Sequence, residues 1–451
     1  MSSDSLKPKG LVRQLGLASA TAAVAGECIA VGIFLTPAGM AKSLGSPFWL
    51  LLVWIAVGLL TISGALTFGE LASRFPRDGG VYVYLLENFG PRVAFLYGWM
   101  CLLVLDPGLT AALATGLASY AAYVFHFSTI AMKLLAVAVI CSLCILNVLS
   151  LRISAGVLRW TTWLKLGILG VLIFWALAFR LGSWSNFVPF VHQNSGSLPL
   201  GPALGAGMVG AFFSFGGWWD VSKIGGEMRD PGRTLPRAML LGVLLVTAAY
   251  ILVSGVFLYL VPVAKVTSDE TFVAQAGAVL FGPLGGEIFA AIVVLCVFSS
   301  LAALIMAAPR VYYAMAQDGL FLHAVARVHP RYGTPATAIL IQGTIASGLV
   351  LLGNFEQIIA YFIFVAVVFL GLTGVGLMIS RSQNRGEAPT FRTPLYPLPP
   401  IAYLFLIAAL MILLALHSPR EALLGTMVVL IGLPVYSALH LKRGERFPRS
   451  N

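Results

Sequence analysis

Charged residues are scarce in this chain of 451 residues: only 10% are Asp, Glu, Lys or Arg, whereas 59% are hydrophobic. Soluble domains carry about 25% charged and about 45–50% apolar residues, so the shortage excludes an ordinary soluble protein. The mean hydropathy is +0.93. Because a membrane-spanning helix needs about 20 apolar residues, the composition indicates a polytopic membrane protein with about a dozen spans.

Histidine and cysteine are also rare, with six and five residues respectively. Only Cys141 and Cys144 lie close together, and neither His nor a further Cys is near them in sequence. This spacing does not provide a zinc or redox site, so the cysteines are interpreted as packing residues. A catalytic triad and a phosphate-binding Gly-Lys loop are missing as well. The sequence therefore predicts no metal, no cofactor and no enzyme activity.

Twelve apolar segments, numbered here as spans 1 to 12, are bounded by charges, Gly and Pro. They are predicted at 14–40, 47–73, 93–124, 130–149, 157–179, 201–227, 237–262, 286–315, 335–353, 357–380, 400–417 and 421–441.

The basic residues predict the orientation of these spans. Most of the 28 Lys and Arg fall in the two termini and in alternate loops, and basic loops stay on the cytoplasmic side. Both tails, 1–13 and 442–451, are therefore predicted to be cytoplasmic, in a plasma or inner membrane. The net charge of +11 is attributed to this topology and not to nucleic-acid binding. Lys165, in span 5, is interpreted as the only basic residue in mid-membrane.

Two spans contain glycines that predict a break in the helix. Span 1 carries Gly26, Glu27 and Gly32, and span 6 carries Gly216 and Gly217. A backbone inside a bilayer must satisfy its own hydrogen bonds, so a break is tolerated only beside protein or a polar cavity. The alternative is that the glycines only allow close helix packing.

The two predicted breaks lie five spans apart, so the halves run in opposite directions. This pattern predicts an all-α membrane protein of twelve helices, with inverted five-helix repeats at 14–179 and 201–380 and two further helices at 400–441. Half-helix N-termini offer N–H groups to a carboxylate, and C-termini offer carbonyls to an ammonium group. The predicted substrate-binding residues are Glu27, Ala30, Val31, Gly32, Ile33, Phe213, Ser214, Phe215, Gly216 and Gly217.

Several motifs follow one another in an order found in a known family. Gly32-Ile33-Phe34 resembles the family's Gly-Ser-Gly-Ile-Phe break, although Ala30 and Val31 replace its first Gly and its Ser. FGELASRFPRDGGVYVYLLENFGP (68–91) resembles the segment that ends span 2. FGGWWDVSKIGGEMRDPGRTLPRA and RVYYAMAQDGLF resemble the segments that follow spans 6 and 8. From about residue 15 to 435 the chain is similar to the amino acid–polyamine–organocation (APC) permeases, and in particular to the L-type amino acid transporters and their bacterial relatives.

The resemblance implies the twelve-span inverted-repeat architecture shared with sodium-coupled neurotransmitter transporters (the LeuT fold). It places Lys165 where sodium-coupled relatives bind a sodium ion, so sodium dependence is not expected. The Lys165 ammonium is expected to join span 1 to span 8 near Ser299 and Ser300; the alternative is that Lys165 reaches the cytoplasmic interface. The resemblance also implies that Phe213 or Phe215 closes over the bound substrate.

Three acids in or near the membrane have several interpretations. Glu27 is able to hold a proton, bind a substrate ammonium group or pair with Lys165. Asp220 is interpreted as the N-cap of the second half of span 6, and Asp106, which precedes Pro107, as the mark of a kink.

The sequence thus predicts a sodium-independent transporter of L-amino acids, working by exchange or by facilitated or proton-linked uptake. The alternatives are a transporter of cationic amino acids or amines and a non-transporting sensor. A membrane-embedded enzyme is disfavoured by the scattered histidines. The sequence assigns neither the individual amino acid nor a partner subunit.

Overall fold

The computed structural model describes residues 11, 13–30, 32–266, 276–352, 355–417 and 419–441. Val31, the C-terminal tail and most of the N-terminal tail lie outside these residues. Regular structure in the described part is helical, apart from an isolated β-bridge between Leu15 and Met228. The helices are α1 (Leu17–Cys28), α2 (Gly32–Leu44), α3 (Pro47–Arg74), α4 (Val81–Phe89), α5 (Pro91–Met100), α6 (Asp106–Phe125), α7 (Thr129–Leu149), α8 (Leu151–Ala178), α9 (Leu200–Phe215), α10 (Pro231–Leu260), α11 (Gly285–Ala307), α12 (Pro309–Gln317), α13 (Ala336–Leu352), α14 (Phe355–Ser382), α15 (Leu398–His417), α16 (Pro419–Leu430) and α17 (Gly432–Leu441).

Nine helical segments in the described residues are long and apolar enough to cross a membrane. They correspond to predicted spans 2 to 8, 10 and 11. Predicted span 1 coincides with the two shorter helices α1 and α2, and predicted spans 9 and 12 coincide with the shorter apolar helices Ala336–Leu352 and Ala422–Ala438. The chain is thus a multi-pass membrane protein. The count of twelve spans and the inverted repeat stay predictions.

The helix of span 1 is interrupted. α1 ends at Cys28, after which Ile29 leaves the helical conformation at φ −77° and ψ 80°, and α2 begins at Gly32. The N–H group of Ala30 turns back to the carbonyl oxygen of Cys28 at 2.8 Å. Span 1 therefore contains two separate half-helices, α1 and α2.

Span 6 is interrupted at the predicted glycines. α9 ends at Phe215, and a 3-10 helix, Asp220–Glu227, follows the intervening turn. Gly217 adopts φ 97° in that turn, a left-handed conformation in which a side chain other than glycine's is strained.

The fold brings the two breaks together. α2 packs against α9, whereas α1 packs against α8, α10 and α11. A Cβ atom added to Gly32 would lie 3.0 Å from the Cα atom of Ser214, so glycine is needed for this close approach. The thiol of Cys28 donates to the carbonyl oxygen of Phe215 at 3.2 Å.

Candidate substrate site at the two broken helices

Lys165 binds the C-terminal end of α1. Its ammonium group donates to the carbonyl oxygens of Gly26 and Ile29, each at 2.6 Å, and the side chain is fully buried. The hydroxyl of Ser300 donates to the same two oxygens at 2.6 and 3.2 Å. The last carbonyls of a helix lack intrahelical donors and carry partial negative charge, so a cation is stabilised there. The neighbouring Ser299 contacts Thr162 instead, with 3.1 Å between the two hydroxyl oxygens.

Replacing Lys165 by Met is expected to lower transport at least about tenfold and to destabilise the protein by about 1–3 kcal/mol, because buried carbonyl oxygens lose their charged donor. Transport in proteoliposomes and the melting temperature of the purified variant measure the two effects. Lys42→Met, which changes an exposed lysine on α2, is the matched control. Wild-type transport by Lys165→Met would contradict this role.

A second buried lysine lies next to the break in span 6. Lys223 is 1% exposed, and its ammonium group contacts a carboxylate oxygen of Asp220 at 2.9 Å and one of Asp106 at 3.0 Å. The hydroxyl of Tyr312 donates to the other oxygen of Asp106 at 2.9 Å. A π-helical turn, Cys101–Leu105, immediately precedes Asp106. The interpretation of Asp106 as a mere kink marker thus misses its role in a buried ion pair.

The structure adds to one prediction about charge and contradicts another. Besides Lys165, Lys223 and Arg310 are buried, at 1% and 0% exposure, near the C-terminal ends of predicted spans 6 and 8; the prediction that Lys165 alone is basic in mid-membrane stays a prediction. Asp220 does not cap the 3-10 helix: the N-terminus of that helix has no side-chain cap, and the carboxylate binds Lys223 instead. The three-residue spacing of Asp220 and Lys223 is the signal that would have found this pair.

Glu27 lies on α1 and points toward the break in span 6. Its side chain is 7% exposed, and a Cβ atom added to Gly217 would lie 2.4 Å from its Cγ atom. Its Oε1 atom has no hydrogen-bond partner in the part of the chain that the structure describes. Glu27 forms no ion pair with Lys165 among these residues, so the predicted alternative of such a pair is wrong in this conformation.

The carbonyl oxygens predicted to bind a substrate ammonium group already have protein donors in this conformation. The oxygen of Phe213 accepts from the N–H group of Gly216 at 2.9 Å, that of Ser214 accepts from the hydroxyl of Tyr250, and that of Phe215 accepts from Cys28. Each carbonyl retains a second lone pair for a ligand.

Tyr250 is a site residue that the sequence did not reveal. Its hydroxyl also lies 2.7 Å from the carbonyl oxygen of Cys28, so one side chain contacts the backbone of both breaks. On the opposite side of the break in span 1, Gly32 and Ile33 begin α2, where the first N–H groups have no intrahelical acceptor. The hydroxyl of Ser214 bonds to that of Thr36 at 2.7 Å. Ala30 is partly exposed within the connecting turn.

The two candidate gating phenylalanines lie in different surroundings. Phe215 is 1% exposed, and its ring packs against those of Tyr250 and Trp54 with centroids 5.1 and 6.1 Å apart. Phe213 is 38% exposed. Phe213 is therefore the one with room to reorient.

Hydrogen bonds join the residues before α1 to the end of the 3-10 helix, on the side of the protein that is predicted to be cytoplasmic. The N–H group of Leu15 donates to the carbonyl oxygen of Glu227 at 3.0 Å, and the N–H group of Arg229 donates to that of Leu15 at 2.8 Å. The carboxylate of Glu227 binds Arg310 at 3.1 Å, and both side chains are buried. Glu227 thus belongs to a buried network, whereas Arg233 only approaches Asp230 at 3.8 Å on the exposed surface.

The loop after span 2 contacts the same 3-10 helix. Asp78 accepts a hydrogen bond from the N–H group of Gly226 at 2.8 Å, and a Cβ atom added to Gly80 would lie 2.9 Å from the backbone nitrogen of Lys223. The Gly-Gly motif therefore permits close contact between backbones. Burial, together with the neighbouring carboxylate of Glu227, raises the pKa of Asp78 to about 7, against the opposing effect of Arg310.

The raised pKa of Asp78 makes the stability of the folded protein depend on pH. The folded protein binds the proton of Asp78 more tightly than the unfolded chain does. The contribution of Asp78 to the free energy of unfolding is therefore greatest below about pH 4 and is lost as the pH rises through about 7. Asp78→Asn is expected to flatten the fall in melting temperature across this interval. Asp230→Asn, which alters an exposed acid, is the control, and an unchanged slope in Asp78→Asn would contradict the assignment.

Comparison with known proteins identifies the family. A family model described as amino acid permease matches residues 15–433. The chain is 29% identical to the serine/threonine exchanger SteT of Bacillus subtilis over 97% of its own length and 99% of that protein. It is 30% identical to the mouse b(0,+)-type amino acid transporter 1, covering 96% and 89% of the two chains, and 28% identical to the mouse large neutral amino acids transporter small subunit 2, covering 94% and 81%. The predicted resemblance to L-type transporters and their bacterial relatives is confirmed, and the chain belongs to the amino acid permease family.

Proposed function

We propose that this permease moves L-amino acids across the plasma or inner membrane by alternating access around the breaks in spans 1 and 6, with both termini cytoplasmic. The single observation that carries the proposal is the contact between the two breaks. There α1 and α9 present C-terminal carbonyls and α2 presents N-terminal N–H groups, so one small region matches both ends of a zwitterion.

The proposed transport is independent of sodium. The fully buried ammonium group of Lys165 supplies positive charge at the carbonyl oxygens of Gly26 and Ile29, where a coordinated cation would otherwise compensate the end of α1. A fixed ammonium group fills this position without a transported ion.

Exchange is the transport mode favoured for this chain, since the similar SteT protein is named as an exchanger. Facilitated or proton-linked uptake is the second mode. Cationic amino acids or amines form the alternative class of substrate, and the buried carboxylates of Glu27 and Asp220 beside the break favour that alternative.

Two measurements test the function. A panel of amino acids is added to the detergent-purified protein, and binders are expected to raise its melting temperature because only the folded form binds them. Labelled binders are then followed in proteoliposomes preloaded with unlabelled amino acid, where exchange produces transient accumulation whether or not sodium is present. Binding without any accumulation would indicate a sensor, and a lack of both binding and accumulation across the panel would contradict the proposal.

A further inference from the structure

The cluster around Lys223 contains more acidic than basic groups. Glu27, Asp106 and Asp220 provide three carboxyl groups, Lys223 provides one ammonium group, and all four side chains are at most 7% exposed. If every group were ionised, the cluster would carry two uncompensated negative charges inside the membrane. Buried charge without a partner is costly by several kcal/mol, and a buried carboxyl group avoids this cost by holding a proton.

The hydrogen-bond pattern shows which carboxyl groups are short of a donor. Asp106 accepts from Lys223 and from Tyr312, and one oxygen of Asp220 accepts from Lys223. The other oxygen of Asp220, Oδ1, and Oε1 of Glu27 are both buried without a donor among the residues with described coordinates. Both carboxyl groups belong to residues that contact the same turn: the Glu27 side chain lies against Gly217, and the N–H group of Asp220 donates to the carbonyl oxygen of Gly217 at 2.9 Å. A single proton between them would give each of these two oxygens a hydrogen-bond partner.

We propose that Glu27 and Asp220 share one bound proton and form a proton-binding site directly behind the break in span 6. Glu27 lies directly against this break, because a Cβ atom added at Gly217 would lie only 2.4 Å from its Cγ atom.

The groups on all sides of the pair favour this assignment. The 3-10 helix contributes Lys223, which already bonds to two carboxylates. α8 contributes Lys165, which donates to two carbonyl oxygens of α1. Among the described residues, the adjoining elements also contribute the buried side chains of Cys28, Tyr97, Cys101, Tyr250, Cys296 and Tyr312, and none of these six supplies a second positive charge.

The site gives the proposed transporter a means of coupling to protons, and this part rests on the proposed function. Because Glu27 belongs to α1 and Asp220 follows the break in span 6, movement of one segment against the other separates the two carboxyl groups. The shared proton would then lose one of its two oxygens and be released. Proton binding would thereby depend on the conformation that carries the substrate.

Infrared spectroscopy of the purified full-length protein without substrate tests the site itself. At neutral pH the wild type is expected to show a protonated-carboxyl band that shifts in D₂O and is absent from Glu27→Gln. Asp220→Asn, which removes the sharing partner, is expected to shift or remove the same band. Glu287→Gln, which changes an exposed acid at the start of α11, serves as the control and should keep it. A spectrum of Glu27→Gln identical to that of the wild type would overturn the proposal, as would an unchanged band in Asp220→Asn.

Transport measurements test the coupling separately. Uptake or exchange by the wild type is expected to change with pH, and this pH dependence is expected to be lost in Glu27→Gln, in which the carboxyl group is replaced by a neutral amide. Glu27→Asp, which keeps a titrating group, should restore the dependence. An infrared band without a pH effect on transport would overturn the proposed coupling but not the proton-binding site. A failure of the wild type and of all variants to transport would instead count against the proposed function.

Discussion

Leucine at position 217 is expected to abolish amino acid transport while the protein still inserts into the membrane. Gly217 has φ 97°, where an L-residue is strained by roughly 1–2 kcal/mol. In addition, a Cβ atom there would lie 2.4 Å from Cγ of Glu27 and 2.8 Å from its Cδ atom. The larger side chain must displace Glu27 or change the path of the turn, and either change removes the arrangement of α1 and α9 on which the substrate site depends.

Substrate binding by Gly217→Leu is measured as thermal stabilisation and transport as counterflow. The matched control is Gly170→Leu, because Gly170 is an exposed glycine of a membrane helix with nothing within 4 Å of an added Cβ atom. Both variants should reach the membrane in equal amounts, and the control should transport normally. Counterflow by Gly217→Leu at the wild-type rate would show that substrate does not pass this turn.

Removal of the Lys223 charge is expected to have the largest effect on folding. In Lys223→Met, the carboxylates of Asp106 and Asp220 lose the ammonium group that lies 3.0 and 2.9 Å away. Breaking a buried ion pair by deleting one partner costs about 3–5 kcal/mol. The variant should therefore give little folded protein at neutral pH and a much lower melting temperature.

A second substitution distinguishes lost charge from lost packing. Lys223→Met combined with Asp106→Asn reduces the number of uncompensated carboxylates, so it should recover part of the stability lost in Lys223→Met. A melting temperature for Lys223→Met equal to that of the wild type would show that the ion pair is not important for the fold. The same melting temperature in the single and double variants would assign the loss to packing.

The breaks were predictable from the sequence because they depend on local chemistry. Glycines in the middle of long apolar runs mark positions where a helix is easily interrupted, and the structure ends α1 and α9 at Cys28 and Phe215. The interruption in span 1 is, however, not centred on Gly26 and Glu27. Both residues remain in α1, and the carbonyl oxygen of Gly26, at the end of this helix, accepts from Lys165 and Ser300.

The buried charges were harder to predict, because counting Lys and Arg in loops assumes that every basic residue near a span end faces water. Lys223 and Arg310 contradict this assumption, since each pairs with a carboxylate distant in sequence, Asp106 for Lys223 and Glu227 for Arg310, although Lys223 also pairs with the nearby Asp220. Tyr250 was missed for a similar reason. A tyrosine in an apolar helix is typical of packing, and its bonds to the backbone of two other helices become visible only when these helices are placed together.

The most direct test is an experimental structure of the protein with the amino acid that stabilises it best. We expect the ligand between the two breaks, with its carboxylate against the N–H groups of Gly32 and Ile33 and its ammonium group against the carbonyl oxygens of residues 213–215. An amino acid bound elsewhere, without contact to either break, would contradict the proposed site.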